Sequence, residues 1–426
     1  MSRFAFSFTL AFLALLPAFV RTEEPKTPAV EKLAVGATDW PWWRGPERNG
    51  VAAKQVPPTK WSTTDNVIWK APVPGRGHGS PIIVGDHIYL ATADHDAETQ
   101  SVLCLDRKTG EKVWQTEVHR GGFVKGNAKS SLASCTVACD GKRVFVNFLN
   151  ANAIYTTALS REGKQLWQTK VSDYVLHQGF ASSPAVFESL VIVSADNKGG
   201  GRIVALERTT GKSVWTHDRP KLPNYTSPII LKADGRDQLF LTGCDLVTSL
   251  DPLNGKVLWE IKGSTTECVT STVTDGKHIY TSGGYPKDHI SAVLADGSGK
   301  VVWENKARVY VPSMVIHDGY LYGVLDGGFA ACWKCGNGKE MWKERLDGTF
   351  SASPVLVGDQ IFATNESGKT YVFKATPEGY NQTALNKLGD DVFATPTICG
   401  DRIYMRVASQ ANGKRQETLY CLGKSE

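Results

Sequence analysis

The chain contains no H-E-x-x-H, no Walker loop, no G-x-S-x-G elbow and no G-x-G-x-x-G opening a helix. Zinc proteolysis, nucleotide hydrolysis, α/β-hydrolase chemistry and dinucleotide binding therefore lack their residue patterns. Gly199-Gly200-Gly201 is read as a flexible connection rather than a phosphate cradle. Excess charge of one sign is also scarce: the net charge is +5 over 426 residues. Lys and Arg are scattered along turns with no basic stripe between aromatics, so a nucleic-acid partner has little support. No His follows the C-x-x-C of Cys332 and Cys335, which removes c-type haem attachment, and no two cysteines are adjacent.

What is present is a repeat. Six tryptophans stand four residues after a turn glycine, in the pairs Gly110/Trp114, Gly163/Trp167, Gly211/Trp215, Gly255/Trp259, Gly299/Trp303 and Gly338/Trp342; Trp69 is the seventh, with Asp65 in the glycine's place. Successive tryptophans lie 45, 53, 48, 44, 44 and 39 residues apart, near the period of a four-stranded propeller blade.

A second frame runs through the same units. Each opens on a small hydroxyl residue, a Pro-like position, apolar residues and a turn, as in Ser80-Pro81-Ile82-Ile83-Val84-Gly85-Asp86. Equivalent openings are read at Ser134, Ser183, Ser227, Ser271, Ser313, Ser353 and Thr395. A β-rich pair such as Ile88-Tyr89 or Ile403-Tyr404 follows, which gives strands A, B and C before a strand D carrying the Trp. Ala384-Leu385 reads as a D strand that has lost its Trp, and the stretch from Thr383 to Asn386 is expected to tolerate alanine where Trp215 does not. The last unit, Thr395 to Leu422, ends before strand D, whereas Val67-Ile68-Trp69-Lys70 is a D strand with nothing before it. Pairing the two closes an all-β, eight-bladed β-propeller of about 45 residues per blade over the 359 residues from Asn66 to Lys424. An open sandwich would leave both edges unpaired.

Arg3 precedes an apolar run from Phe4 to Val20, and polar Arg21-Thr22-Glu23-Glu24 follows. That is the layout of a secretory signal peptide. Residues 1–20 are therefore read as a signal, 21–60 as an N-terminal extension and 61–426 as the propeller, in an exported protein, periplasmic or secreted. A single-pass anchor is the competing reading, at the short limit for spanning. No Cys near the end of the run points to a lipid anchor, and no stable membrane span is expected after cleavage.

The nine cysteines do not read as a disulfide framework. Cys104, Cys332 and Cys421 occupy the strand-C slot that Ala158, Ala205 and Ser249 fill elsewhere, so they serve as small side chains. Cys332 and Cys335 straddle a strand end and a turn, which argues against a redox role. Cys135 and Cys139 remain open to pairing, and an odd total leaves at least one thiol free.

The run from Ala205 to Trp215, and the similar one from Cys104 to Trp114, resemble the tryptophan-docking repeat of the pyrroloquinoline-quinone (PQQ) propeller superfamily. Trp69, Trp114, Trp167, Trp215, Trp259, Trp303 and Trp342 are then structural docking residues, packed between blades. Asp39-Trp40-Pro41-Trp42-Trp43-Arg44-Gly45-Pro46 looks like the opening signature of secreted bacterial PQQ-binding-like repeat proteins, a subgroup similar to the propeller of the outer-membrane barrel-assembly lipoprotein. The chain departs from the superfamily's quinoprotein alcohol dehydrogenases: it lacks their vicinal Cys-Cys pair, haem outlet and long insertions. Calcium chemistry needs converging oxygens, and Asp94, Asp96, Glu98 and Glu267 are candidates without a defining spacing. Trp40, Trp42 and Trp43 are read as fastening the extension to the barrel, with sugar stacking as the other reading.

In such a blade the D–A and B–C connections share one face. Just before each strand A stand Arg76 and His78, Lys129, His177 and Phe180, Tyr225, Glu267, Arg308 and Tyr310, Phe350, and Asp391 and Phe393. Ionisable and aromatic groups around a funnel suit a small polar ligand or a partner's loop; plugging of the channel mouth is the other reading. As loop-tip charges, Arg76, His78, Glu267 and Arg308 are expected to be replaceable without loss of stability. The expected protein is an exported, non-catalytic, monomeric propeller with no resident cofactor and no metal, binding a protein partner or small polar ligand through this face. A PQQ-dependent dehydrogenase using calcium is the alternative, and a carbohydrate-binding propeller the third reading.

Overall fold

Runs of alternating and β-branched residues between Gly, Asp and Asn turns form strands throughout. A computed structural model describes residues 1, 31–411 and 413–424; residues 2–20 of the expected signal and the start of the extension lie outside the described residues. Eight antiparallel sheets of four strands each arrange as a β-propeller. Blade 1 comprises strands A to D at Ile82–Val84, His87–Asp94, Thr99–Asp106 and Lys112–Arg120. Blades 2 to 7 open with strand A at Ala138–Cys139, Ala185–Phe187, Ile229–Ala233, Val273–Thr274, Val315–His317 and Val355–Val357. Blade 8 joins Thr397–Cys399, Arg402–Ala411 and Lys414–Leu422 to the N-terminal strand Val67–Val73, with Trp69 opposite Cys421 and Lys70 opposite Tyr420. This is the closure that the repeat count implies, and it leaves neither end of the ring as an open edge.

Burial follows position in the blade. Strand B of blade 1 is buried along nearly its whole length, while strand D alternates because one of its faces meets solvent. The strand-C slot is small because it faces the tryptophan: Cys104 lies opposite Trp114, Ala158 opposite Trp167, Ala205 opposite Trp215 and Cys332 opposite Trp342. Blade 7 inverts the sizes, with Val372 opposite Ala384. Each indole N–H reaches the next blade's C–D turn at most junctions. Trp69 donates to Arg107 O at 3.2 Å, Trp114 to Arg161 O at 2.8 Å, Trp167 to Arg208 O at 3.1 Å, Trp215 to Pro252 O at 3.1 Å, Trp303 to Cys335 O at 2.6 Å and Trp342 to Thr376 O at 2.7 Å. Trp259 instead donates within its own blade, to Gln238 Oε1 at 3.1 Å.

One sequence expectation needs correction and one open alternative is decided. The hydroxyl that opens blade 2 is Thr136, two residues before strand A, and not Ser134. The D–A connection there is long, and Ser134 bonds inside it to Ser131 O at 3.1 Å. Cys135 and Cys139 are not paired: all nine thiols are free and buried. Burial pushes the Cys335 thiol up to about 11 and that of Cys332 to about 12, so neither is a poised thiolate.

From Lys32 onward the extension belongs to the same compact unit as the blades. It crosses the A–B turns, with Ala34 N on Asp140 O at 2.9 Å and Gly85 N on Asp39 Oδ1 at 2.9 Å, and then enters the channel. There Trp40 pairs with Ile83, Cys139 N donates to Pro41 O, and Val51 pairs with Leu356 across the ring. The Arg48 guanidinium lies over the Trp42 ring at 4.3 Å. Burial lowers Arg44 to about 9; its guanidinium holds Asn49 O at 2.9 Å and Met314 O. Trp40 and Trp42 are buried and offer no face to a sugar.

Candidate functional site

At the channel mouth, on the face of the D–A and B–C loops, lies a cavity of about 410 Å³, a volume usual for small-ligand sites. All eight D–A loops contribute to its wall, from His78 and Lys129 round to Tyr225, Tyr310, Ser351 and Phe393. Trp43 reaches it from the extension, its indole N–H held by Ser271 Oγ at 2.8 Å.

Around the bore the blade-opening hydroxyls are linked blade to blade. Ser80 N donates to Thr136 Oγ1 at 3.0 Å, Thr136 N to Ser183 Oγ at 3.0 Å and Ser183 N to Ser227 Oγ at 2.9 Å. Ser271 N donates to Ser313 Oγ, Ser313 N to Ser353 Oγ and Ser353 N to Thr395 Oγ1, each at 2.9 Å. Six of the eight blade-opening hydroxyls, Thr136, Ser183, Ser227, Ser313, Ser353 and Thr395, thus satisfy a backbone N–H that strand pairing leaves over.

The residues expected at the funnel divide into three groups. His78, Lys129, Tyr225 and Tyr310 line the cavity, with Phe180 and Phe393. His78 stacks on Phe393 with centroids 4.2 Å apart; burial, with Arg76, Arg406 and Arg415 nearby, holds its imidazole well below its ordinary range. Lys129 spans the mouth to Glu366 of blade 7, at 3.0 and 3.1 Å, and Ser351 Oγ donates to the same carboxylate at 2.7 Å.

A second group lies behind the wall. Glu267 is not a solvated loop-tip charge but 4% exposed. One oxygen meets His177 Nε2 at 3.1 Å, and the other accepts the Tyr310 hydroxyl at 3.2 Å. Burial and then this carboxylate push both Tyr310 and Tyr225 above their usual range, so each keeps its proton. Arg76 borders a neighbouring cavity beneath the blade 1–2 loop, 3.4 Å from Ala128 O and from His78 Nε2, with its buried Nε unpartnered.

The third group is turned elsewhere. Arg308 points to Asp288 at 2.9 Å and Gly284 O at 2.8 Å; Asp391 accepts Arg415 Nε at 2.8 Å. Phe350 is fully buried against Tyr371 and belongs to the core. Asn127 and Gln178, which pair across the lining at 2.9 Å, were not singled out by the sequence; polar residues in long loops carry no distinguishing pattern.

The calcium candidates do not converge. Asp94 Oδ1 caps its own turn through the Asp96 and Ala97 N–H groups, far in sequence from Glu267, and among the described residues no three His, Cys, Asp or Glu side chains gather at ligand spacing.

Eight four-stranded blades, tryptophan-docking repeats and a single loop-built mouth define a PQQ-like β-propeller. The chain belongs to the family described as outer membrane protein assembly factor BamB, whose profile matches residues 59–173, 98–344 and 286–379. It is 25% identical over 353 residues to the outer membrane protein assembly factor BamB of Burkholderia pseudomallei, covering 79% of this chain and 84% of that one. Among solved structures, BamB from Moraxella catarrhalis superposes with a TM-score of 0.59 at 14% identity, over 83% of this chain and 96% of that one. A europium-containing methanol dehydrogenase superposes with a TM-score of 0.65 at 12% identity, over 91% and 98%. At such identities the superpositions speak for the fold alone.

Proposed function

We propose that this is an exported, non-catalytic propeller that binds a protein partner through the mouth of its channel. The observation that carries the reading is the state of the mouth's ionisable groups. Glu267 is held by His177 and Tyr310, Lys129 by Glu366 and Asp391 by Arg415. Among the described residues these carboxylates are thus each committed to a partner, which leaves none free beside the His78 imidazole to share a substrate proton, while eight loops offer a broad surface. The description of its family, which concerns outer membrane protein assembly, supports a protein partner, and the apolar run from Phe4 to Val20 supports export. The test is a photo-crosslinking residue placed at Gln178 or Ser351 on the mouth and, separately, at Lys277 on the opposite turns, in a bacterial envelope. Adducts to one protein from the mouth positions are expected; adducts from Lys277 alone overturn the reading.

A PQQ-dependent dehydrogenase is the second reading, favoured by the cavity's aromatic wall of Trp43, Phe180, Tyr225, Tyr310 and Phe393. Calcium does not fit this lining, which includes no Asp or Glu to supply hard oxygen ligands. No catalytic step is therefore derived through the quinone.

A further inference from the structure

The hydroxyl ring has a directional consequence. Thr136, Ser183, Ser227, Ser353 and Thr395 all line the cavity, and each already accepts a backbone N–H from the preceding blade. A hydroxyl has one proton and two lone pairs. With a lone pair committed to the backbone, the proton remains to be donated, and among the described residues no protein acceptor takes it from any of the five. Tyr225 adds an independent donor: it is 8% exposed, lines the same cavity, and among the described residues no protein atom accepts its hydroxyl proton.

Six hydroxyl protons, those of the five ring residues and of Tyr225, are thus uncommitted at the cavity, each beside a remaining lone pair. The lining carries no carboxylate, and its one lysine is already balanced by Glu366, so fixed O–H dipoles rather than net charge set its preference. Preorganised donors converging at the channel mouth favour a group that brings several lone pairs and negative charge. The faces of Trp43, Phe180, Tyr310 and Phe393 require the rest of that ligand to be apolar.

We propose that the ring of blade-opening hydroxyls, with Tyr225, seats a carboxylate whose apolar body lies against the aromatic wall, supplied by the C-terminus of a partner chain inserted into the mouth. Capture of a terminal carboxylate by clustered donors is an established recognition mode. The proposal rests on the partner-binding reading, and its test is separate. If small probes fail while crosslinks from Gln178 and Ser351 persist, only the carboxylate seat is lost.

The experiment is calorimetric titration of the full chain with four probes: an N-acetylated aromatic tripeptide as free acid, the same peptide as C-terminal amide, benzoate and benzylamine. The free acid is expected to bind at least tenfold more tightly than the amide, with benzoate competing. Peptide acid binding more tightly than benzoate assigns the seat to a chain terminus, whereas equal affinity assigns it to free organic acids and overturns the chain-terminus assignment. Amide binding as well as acid, preference for benzylamine, or silence of both acids at millimolar concentration overturns the carboxylate seat. Tyr225→Phe removes a hydroxyl that donates to no internal acceptor, so the melting temperature should hold while acid affinity falls severalfold. Ser227→Ala should weaken the acid too but also loosen the ring, and unchanged acid affinity in both variants overturns the proposal.

Discussion

Trp61 stacks on Phe362 with ring centroids 6.3 Å apart and planes 8° from parallel. In other blades the strand-B aromatic meets the blade's own tryptophan, as Tyr89 meets Trp114 at 5.9 Å and Phe145 meets Trp167 at 6.0 Å. Blade 7 has Ala384 in that place, and Trp61, ahead of the closing strand, supplies the missing indole. Asn386 holds it there, accepting Trp61 N through Oδ1 at 2.9 Å and donating to Thr59 O at 2.9 Å. Trp61→Ala should therefore cost roughly 3–5 kcal/mol, as Trp215→Ala should, because both empty a buried aromatic site. The stretch around Ala384 is not as permissive as the lost Trp implies: Asn386→Ala should cost about 1–3 kcal/mol. Denaturant unfolding of the three variants checks this, and a Trp61→Ala protein as stable as the parent contradicts the substitution in space.

The glycine of the Gly-x-x-x-Trp frame serves the preceding blade. Gly110 has φ of +76°, and a Cβ there would come within 2.5 Å of Trp69 Cε3. Gly319, with φ of +78°, has nothing within 4 Å of the same added atom. Alanine at Gly319 should cost about 1 kcal/mol from backbone strain alone. Alanine at Gly110 should cost at least ~2 kcal/mol, since packing against the closing blade is also broken. Equal shifts in melting temperature would mean that the indole does not rest on the turn.

Glu267→Ala should destabilise by about 1–3 kcal/mol, because the buried Tyr310 hydroxyl loses its acceptor. Arg308→Ala, whose pair with Asp288 is largely exposed, should stay within about 0.5 kcal/mol. Thermal unfolding distinguishes the two, and a silent Glu267→Ala would return that carboxylate to the solvated class.

The thiols set an alkaline limit. Unfolded cysteines ionise near 9, whereas burial raises Cys335 and Cys421 to about 11 and Cys104 and Cys399 to about 12 in the folded chain. Between those values the unfolded state releases protons that the folded state retains, so stability should fall as pH rises from about 9 toward 12. A thiol reagent at pH 8 should label the native chain slowly and the denatured chain rapidly. Fast labelling of the native protein would mean that Cys332 and Cys335 are accessible after all.

Much of this fold is legible because its constraints are local and repeated. The small slot facing each Trp, the turn glycine and the blade-opening hydroxyl recur in most blades, and their counts give the ring and its closure. The rest depends on contacts between distant segments. Thr136 was hidden by the long blade 1–2 connection, which offers Ser134 two residues early. The burial of Glu267 depends on His177 and Tyr310, and the reach of Lys129 depends on Glu366, 237 residues away. Trp61 and Trp43 enter the ring from outside the repeat, where no periodicity marks their partners.

The central claim is that the mouth binds without performing chemistry, and one titration tests it most directly. Purified protein would be mixed with PQQ and calcium, its absorbance followed for a bound quinone, and dye-linked alcohol and sugar oxidation measured on the same sample. The account predicts no turnover, since the lining holds no carboxylate for calcium, Glu267 is tied to His177 and Tyr310, and Glu366 to Lys129 and Ser351. Quinone-dependent oxidation that disappears in Glu267→Gln, with the fold intact, would contradict it and make the chain a dehydrogenase.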